Sequence, residues 1–215
     1  MKFLKLSTKL IQMDTLNPTK IGIFGGSFNP VHIGHLIIAQ HFVEELNLDY
    51  CYFVPNYISP FKIGDNEIIP SHTRLEMLRL ATEDNPKFII DTFEINKADI
   101  SYTYQTILYF KNKFPSAQLF LLVGSDQAEK FTLWKNWETI LDNANLAVAK
   151  RKPEVFDPTQ YKFPSEYSKK VIHLSNPIIE ISSSSIRNYL KSGRSIRYLV
   201  PEKIFNFIIS NKLFE

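Results

Sequence analysis

The segment Gly25-Gly26-Ser27-Phe28-Asn29-Pro30-Val31-His32-Ile33-Gly34-His35 collects residue types that suit a phosphate-bearing ligand. Gly25 and Gly26 carry no Cβ, so backbone amides there can approach a phosphate closely. Asn29-Pro30 marks a turn, and a helix is expected to begin near Val31. A helix N-terminus carries roughly half a positive charge and free N–H groups, which favour anions. His32 and His35 are three apart, so they share one side of the first turn. Gly34 removes a side chain that could crowd a nucleotide between them. The Gly-Lys-Ser/Thr ending of a Walker A loop is missing, and so is the dinucleotide fingerprint G-x-G-x-x-G. Two histidines at this spacing could also ligate a metal, but no third ligand is evident and the zinc-protease pattern His-Glu-x-x-His is absent. They could also simply be hydrogen-bonded residues opening a helix.

A second anion site stands about 150 residues further on, in Ile181-Ser182-Ser183-Ser184-Ser185-Ile186-Arg187. A serine here can cap a following helix, and its hydroxyls and N–H groups can bind phosphate oxygens. Arg187, in the first turn, can add a charge-assisted contact. A serine cap beside a solvated arginine is the ordinary alternative.

These residues need a frame that brings them together. Lys20 to Phe24 is a short apolar run ending in glycines, which reads as a buried strand. Apolar spacing predicts a helix over 33–46. Further strands are expected over 51–54, 88–90, 119–123, 146–149 and 171–174. Further helices are expected from a Ser71 cap through Leu80, and over 103–114, 134–141, 184–191 and 201–209. The loop 55–70 is rich in Pro, Asn, Ser and Gly. Residues 150–170 read as a surface excursion. Strands alternating with helices predict an α/β fold, a Rossmann-like open and mainly parallel sheet with helices on both faces. Loops at the C-terminal strand edge then form the ligand site. The chain divides into an extension, 1–19, poorly ordered or a short helix, and one domain, 20–215, that ends in helices.

Composition narrows the function. The chain has 215 residues, 44% hydrophobic and 22% charged, with a net charge of +3. That is ordinary for a globular protein and does not call for nucleic acid, which would want a denser Lys/Arg face. No apolar run is long enough to span a membrane, and no signal peptide is read at the N-terminus. A cytoplasmic setting is expected. The single cysteine, Cys51, lies in an apolar strand and reads as a core thiol.

Taken together, Gly25 to His35 resembles the signature of the HxGH nucleotidyltransferase superfamily, and 181–187 resembles its C-terminal ISSTxIR motif, with Ser184 where threonine is usual. From about Lys20 onward the chain is most similar to the bacterial nicotinate-nucleotide adenylyltransferase family. Three middle motifs carry that likeness: Ser101-Tyr102-Thr103, Val123-Gly124-Ser125-Asp126 and Trp134-Lys135-Asn136-Trp137. The resemblance implies that His32, His35 and Arg187 act on the triphosphate of ATP as catalytic groups. Gly25, Gly26, Ser27, Phe28, Ser182, Ser183, Ser184 and Lys62 would complete the phosphate site. Asp126 would contact ribose hydroxyls, with a helix N-cap as its structural alternative. Trp134 would stack on the nicotinate ring, with core packing as the alternative. Backbone amides near Thr103 and Lys135 would hold the nicotinate carboxylate. Phe61 stands where the family usually has histidine, just before Lys62. Arg74 and the run Lys150-Arg151-Lys152 are expected to be mostly solvated.

The expected reaction is transfer of AMP from ATP to nicotinate mononucleotide, with Mg²⁺ bridging the triphosphate and held by phosphates and water rather than by a protein metal site. The partners are small molecules, not nucleic acid or membrane, and a homo-oligomer is open. The alternatives are another acceptor, such as nicotinamide mononucleotide or phosphopantetheine, or a nucleotide-binding regulator without catalysis.

Overall fold

A computed structural model describes residues 17–151 and 163–214. The N-terminal extension up to residue 16 and residues 152–162 of the 150–170 excursion lie outside the described residues. Six strands form one sheet in the order β3-β2-β1-β4-β5-β6: β1 Lys20–Gly26, β2 Tyr50–Pro55, β3 Phe88–Ile90, β4 Gln118–Gly124, β5 Ala144–Ala149 and β6 Val171–His173. Every neighbouring pair is parallel. The order reverses between β1 and β4, the switch point where open α/β sheets bind ligands beyond their C-terminal strand ends. Gly25 and Gly26 end β1 there, and Gly124 ends β4.

The helices are α1 Ile33–Glu45, α2 Ser71–Thr82, α3 Phe93–Lys97, α4 Thr103–Lys113, α5 Ser125–Ala128, α6 Trp137–Asn143, α7 Ser183–Lys191 and α8 Glu202–Ser210. Strand side chains alternate between two cores because their period is two. On one face Phe53, Phe120, Leu122 and Ala147 meet Phe42 and Val43 of α1, Met77 and Leu78 of α2, Ile186 of α7 and Ile204 of α8. On the other face Ile21, Ile23, Leu119, Leu121 and Val123 meet Ile107 and Phe110 of α4 and Ile140 and Leu141 of α6. Cys51 is fully buried in the first core, and desolvation pushes its thiol far above the usual range.

Several boundaries differ from the sequence expectation, each for a local reason. α1 starts at Ile33 because His32 is still extended, at φ −144° and ψ 169°. α2 is not capped by Ser71, which is already helical. Extended Pro70 holds the cap position, and its carbonyl accepts from the Thr73 and Arg74 amides. The helix expected from Trp134 begins only at Trp137. Trp134 ends a 3-10 turn over Phe131–Leu133 in an extended conformation, and Asn136 turns through the left-handed region at φ 53°, which asparagine tolerates better than most residues. α7 begins one residue early, at Ser183, with Ser182 as its cap.

Gly22 shows how tightly α1 lies on the sheet. A Cβ there would sit 2.4 Å from Phe42 Cε1 and 2.6 Å from Leu48 Cδ1. Gly22→Ala should therefore force both side chains aside and cost roughly 1–3 kcal/mol. Chemical denaturation should show that loss in the midpoint, with the slope unchanged.

Candidate active site

The two segments expected from sequence to bind phosphate meet at the C-terminal edge of β1. Ser183 Oγ donates to the Pro30 carbonyl at 2.8 Å, and Arg187 Nη1 donates to the Asn29 carbonyl at 2.9 Å. Ser182 and Ser185 close a reciprocal capping box at the start of α7, with Ser185 N–H donating to Ser182 Oγ at 3.0 Å. This box fixes the helix end and leaves Ser184 Oγ beside Arg187, at 3.4 Å. Arg187 is buried, and Glu67 accepts from its Nη2 at 2.7 Å and its Nε at 3.2 Å.

On the other side of the loop, Ser27 Oγ lies 3.2 Å from Asn56 Nδ2 and 3.4 Å from Lys62 Nζ. Burial, and the charge of Arg187 next, lower the Lys62 pKa below the usual lysine range. Phe28 is a core residue as well as a loop residue. It takes the left-handed region at φ 48° and packs its ring against Phe24, Phe53 and His35. Gly25 has open space where a Cβ would stand, so nothing in the protein fills the approach to its backbone.

His32 and His35 lie with their rings stacked, centroids 3.6 Å apart. The His35 Nδ1 accepts the His32 backbone N–H at 3.2 Å. In the neutral ring that leaves the proton on Nε2. Desolvation, with Arg151 as a secondary cause, lowers the His32 pKa to about 3. Desolvation first, then His32 and Arg151, hold His35 well below its usual value. Both rings are thus neutral donors or acceptors when no anion is bound. His32 Nδ1 is buried with no hydrogen-bond partner among the described residues. Gly34 is required chiefly by that ring, since a Cβ would stand 3.1 Å from His32 Nδ1 and 3.4 Å from Ile179 Cγ2.

The helix end is less open than the sequence implies. Three amides that could face an anion are already used. His32 N–H goes to the His35 ring, Ile33 N–H goes to the Leu199 carbonyl at 3.0 Å, and His35 N–H goes to the His32 carbonyl at 3.0 Å. The free amides expected at the start of α1 are therefore spent within the protein.

A cleft opens from the histidines across the switch point. Phe24, His32, Gly34 and His35 line one side, Leu122, Val123 and Gly124 the floor, and Ala149, Arg151, Ile179 and Ile181 the other side. Asp126 stands at its mouth in α5, half-exposed and 3.8 Å from Arg151 Nε. Asp126 is not a helix cap, since Gly124 holds that position. A Cβ on Gly124 would come within 2.5 Å of Asp126 Oδ1 and 3.1 Å of Arg151 Nε, so that glycine makes the pair's placement possible.

Arg151 is a correction to the expectation of a solvated basic run. It is held in the cleft because Asn176 clamps the preceding residue, accepting from Lys150 N–H at 2.9 Å and donating to its carbonyl at 3.1 Å. Lys152 lies outside the described residues. Arg74 is a second correction. It is fully buried and donates to the carbonyls of Ser27, Asn56, Tyr57 and Ile69 at 2.7 to 3.2 Å, so four backbone acceptors hold its charge inside. Arg151's position just past β5, at the ligand edge, was a usable sequence signal. Nothing local in the sequence distinguished Arg74.

The residues expected from sequence to meet the acceptor form a neighbouring group. Thr103 opens α4, and Lys135 Nζ lies 4.5 Å from the ring centroid of Tyr102, the residue before it. Trp134 is half-buried, with its ring 5.1 Å from Phe131, so one part of it does pack on the core. Ser101 stitches this group to the Lys62 loop: its N–H donates to the Ile58 carbonyl at 2.9 Å, and its Oγ accepts the Tyr57 N–H at 3.0 Å. Among the described residues no group of three or more His, Cys, Asp or Glu side chains gathers to hold a metal, and no helix is long and apolar enough to cross a membrane.

A cytidylyltransferase-like family model matches residues 23–189. Two proteins named "Probable nicotinate-nucleotide adenylyltransferase" align over nearly their whole length. That of Dictyoglomus thermophilum is 36% identical over 195 residues, covering 91% of this chain and 99% of its own. That of Clostridium acetobutylicum is 38% identical over 199 residues, covering 91% and 98%. The chain belongs to the nicotinate-nucleotide adenylyltransferase family. The same fold is seen in the nicotinic acid mononucleotide adenylyltransferase of Plasmodium falciparum complexed with NaAD, with a TM-score of 0.72 at 19% identity over 91% of this chain and 97% of that one. A second structure of that protein, complexed with APC, superposes with a TM-score of 0.70.

The neutral state of the buried histidines has a pH consequence. Below about pH 6.5 the unfolded chain takes up protons that folded His32 refuses until about pH 3, so stability is present above that range and falls as pH drops through it. Denaturation in urea at about pH 7.5 and about pH 5 should show that fall, and His32→Asn should reduce it.

Proposed function

We propose that this protein transfers AMP from ATP to nicotinate mononucleotide, giving nicotinate adenine dinucleotide and pyrophosphate in NAD biosynthesis, as a cytoplasmic enzyme of small molecules. The observation that carries the transfer chemistry is the joining of His32, His35 and Arg187 around the Asn29-Pro30 turn. The choice of acceptor rests on the relatives over nine-tenths of the chain.

The acceptor's 5′-phosphate attacks the α-phosphorus of ATP in line, the bond to the β-phosphate oxygen breaks, and pyrophosphate leaves. Such a reaction needs positioning and charge neutralisation rather than a protein nucleophile. His35, with its proton on Nε2, donates to a phosphate oxygen. Lys62, Arg187 and the α7 amides spread the remaining charge. Gly25, Gly26 and Ser27 let the loop backbone lie against the phosphates. The apolar walls at Ile179 and Ile181 suit a purine, and Asp126 beside Arg151 suits ribose hydroxyls. Trp134 offers a flat face to the pyridine ring, while first-turn amides of α4 and the Lys135 segment receive its carboxylate. The polar groups facing the cleft are mainly cationic or neutral, so Mg²⁺ would enter with ATP, held by phosphates and water, and would supply charge neutralisation.

Two measurements test this. Pyrophosphate release from ATP should be fastest with nicotinate mononucleotide in a panel with nicotinamide mononucleotide and phosphopantetheine. Faster reaction with the amide overturns the acid-specific reading, and tight ATP binding without release with any acceptor overturns catalysis. His35→Ala should lower kcat by about 10²-fold or more, and wild-type turnover in that variant would remove His35 from the mechanism.

A further inference from the structure

Arg187, which the proposed function sets against the triphosphate, already has an anion. The Glu67 carboxylate takes two of its donors through one oxygen, Oε2, and its other oxygen pairs with Lys191 one turn further along α7. With the Asn29 carbonyl and Ser184 Oγ, these contacts occupy all three nitrogens of the buried guanidinium. The ammonium of Lys62 stands near enough to Arg187 to lose pKa to it. A carboxylate is thus bound where cations and hydroxyls converge.

The placement of Glu67 is built rather than incidental. Asn29 grips its segment at two points, its Nδ2 donating to the Glu67 carbonyl at 2.9 Å and its Oδ1 accepting the Ile69 N–H at 3.3 Å. Arg74 holds the Ile69 carbonyl from the interior. The residue that follows Ser27 and Phe28 in the phosphate loop therefore delivers a carboxylate to the arginine of the second anion motif. A carboxylate and a phosphate oxygen ask for the same planar pair of N–H donors, so the two compete for Arg187.

We propose that the Glu67 carboxylate is an internal occupant of a phosphate-oxygen position on Arg187 and Lys191, which the triphosphate of the nucleotide must displace, so that Glu67 sets the protein's affinity for triphosphates. This rests on the reading that Arg187 serves the triphosphate. Displacement costs binding free energy, so the residue weakens nucleotide binding while keeping the guanidinium in place in the free protein. Because Glu67 and Lys62 share one loop, arrival of the triphosphate also releases the tie between that loop and α7.

The test uses Glu67→Gln, which keeps shape and removes charge, with Glu83→Gln as a control. Glu83 pairs with Lys203 on α8, so that variant changes the net charge equally at a surface pair. Inorganic tripolyphosphate is titrated into each protein by calorimetry, and adenylyl transfer is followed on the same preparations. Glu67→Gln should bind tripolyphosphate roughly three- to tenfold more tightly than wild type, and lower the KM for ATP in the same sense, while Glu83→Gln leaves both unchanged. Unchanged affinity in an active Glu67→Gln protein overturns the proposal. Weaker binding with a lower kcat also overturns it, and makes Glu67 a positioning residue for Arg187. If no variant binds tripolyphosphate and wild type releases no pyrophosphate, the nucleotidyl-transfer reading falls, and the proposal with it.

Discussion

Two carbonyls, those of Asn29 and Pro30, hold the molecule's chemistry together. They end the turn after β1, and they accept from Arg187 and from Ser183 at the start of α7. Without those bonds the loop after β1 and the serine-capped helix would be two separate features at one sheet edge. With them, the loop's shape is set by a helix more than 150 residues away. Buried carbonyls need partners, so the requirement that satisfies the backbone is also what positions Arg187.

Arg74 does the same work beneath the loop. Its guanidinium takes carbonyls from the phosphate loop, from the end of β2 and from the segment leading into α2. A buried charge is tolerated where polar atoms surround it, and here those atoms all belong to backbone that must hold one conformation. The Lys62 loop is therefore pinned at its root by Arg74 and along its length by Ser101. Its tip, with Phe61 and Ile63, stays exposed.

The fold was largely legible because buried strands read as short apolar runs and the first helix as helically spaced apolar residues. Short continuous apolar runs gave all six strands, down to the short β3, and their alternation with helices implied a mainly parallel sheet. Boundaries shifted where one residue's backbone departs from the pattern, as at extended His32 and left-handed Asn136. The paired histidines and the serine cap were legible from residue type and spacing, and Lys62 from the family resemblance; the structure puts them around one turn. What spacing could not reveal was which donors the protein spends on itself. The first amides of α1 are bonded to His35 and Leu199 rather than left for an anion. Arg74 was passed over because its partners are backbone carbonyls that local sequence does not show; Arg151 carried a signal in its place just past β5, but the clamp at Asn176 that holds the segment lies far along the chain. Glu67 lies in a loop with no period, and only the folded chain brings it to Arg187.

The bond from Ile33 N–H to the Leu199 carbonyl sets an order of events in the life of the chain. The histidine pair is made early by a ribosome, but the carbonyl that steadies its helix end is made some 160 residues later, after the residues of β4 and of α7. A nascent chain that has exposed only its first half carries the signature residues without their final positions. Assembly of the centre is therefore a late step of synthesis, and shortening the chain before residue 199 would remove a support for residues near its beginning.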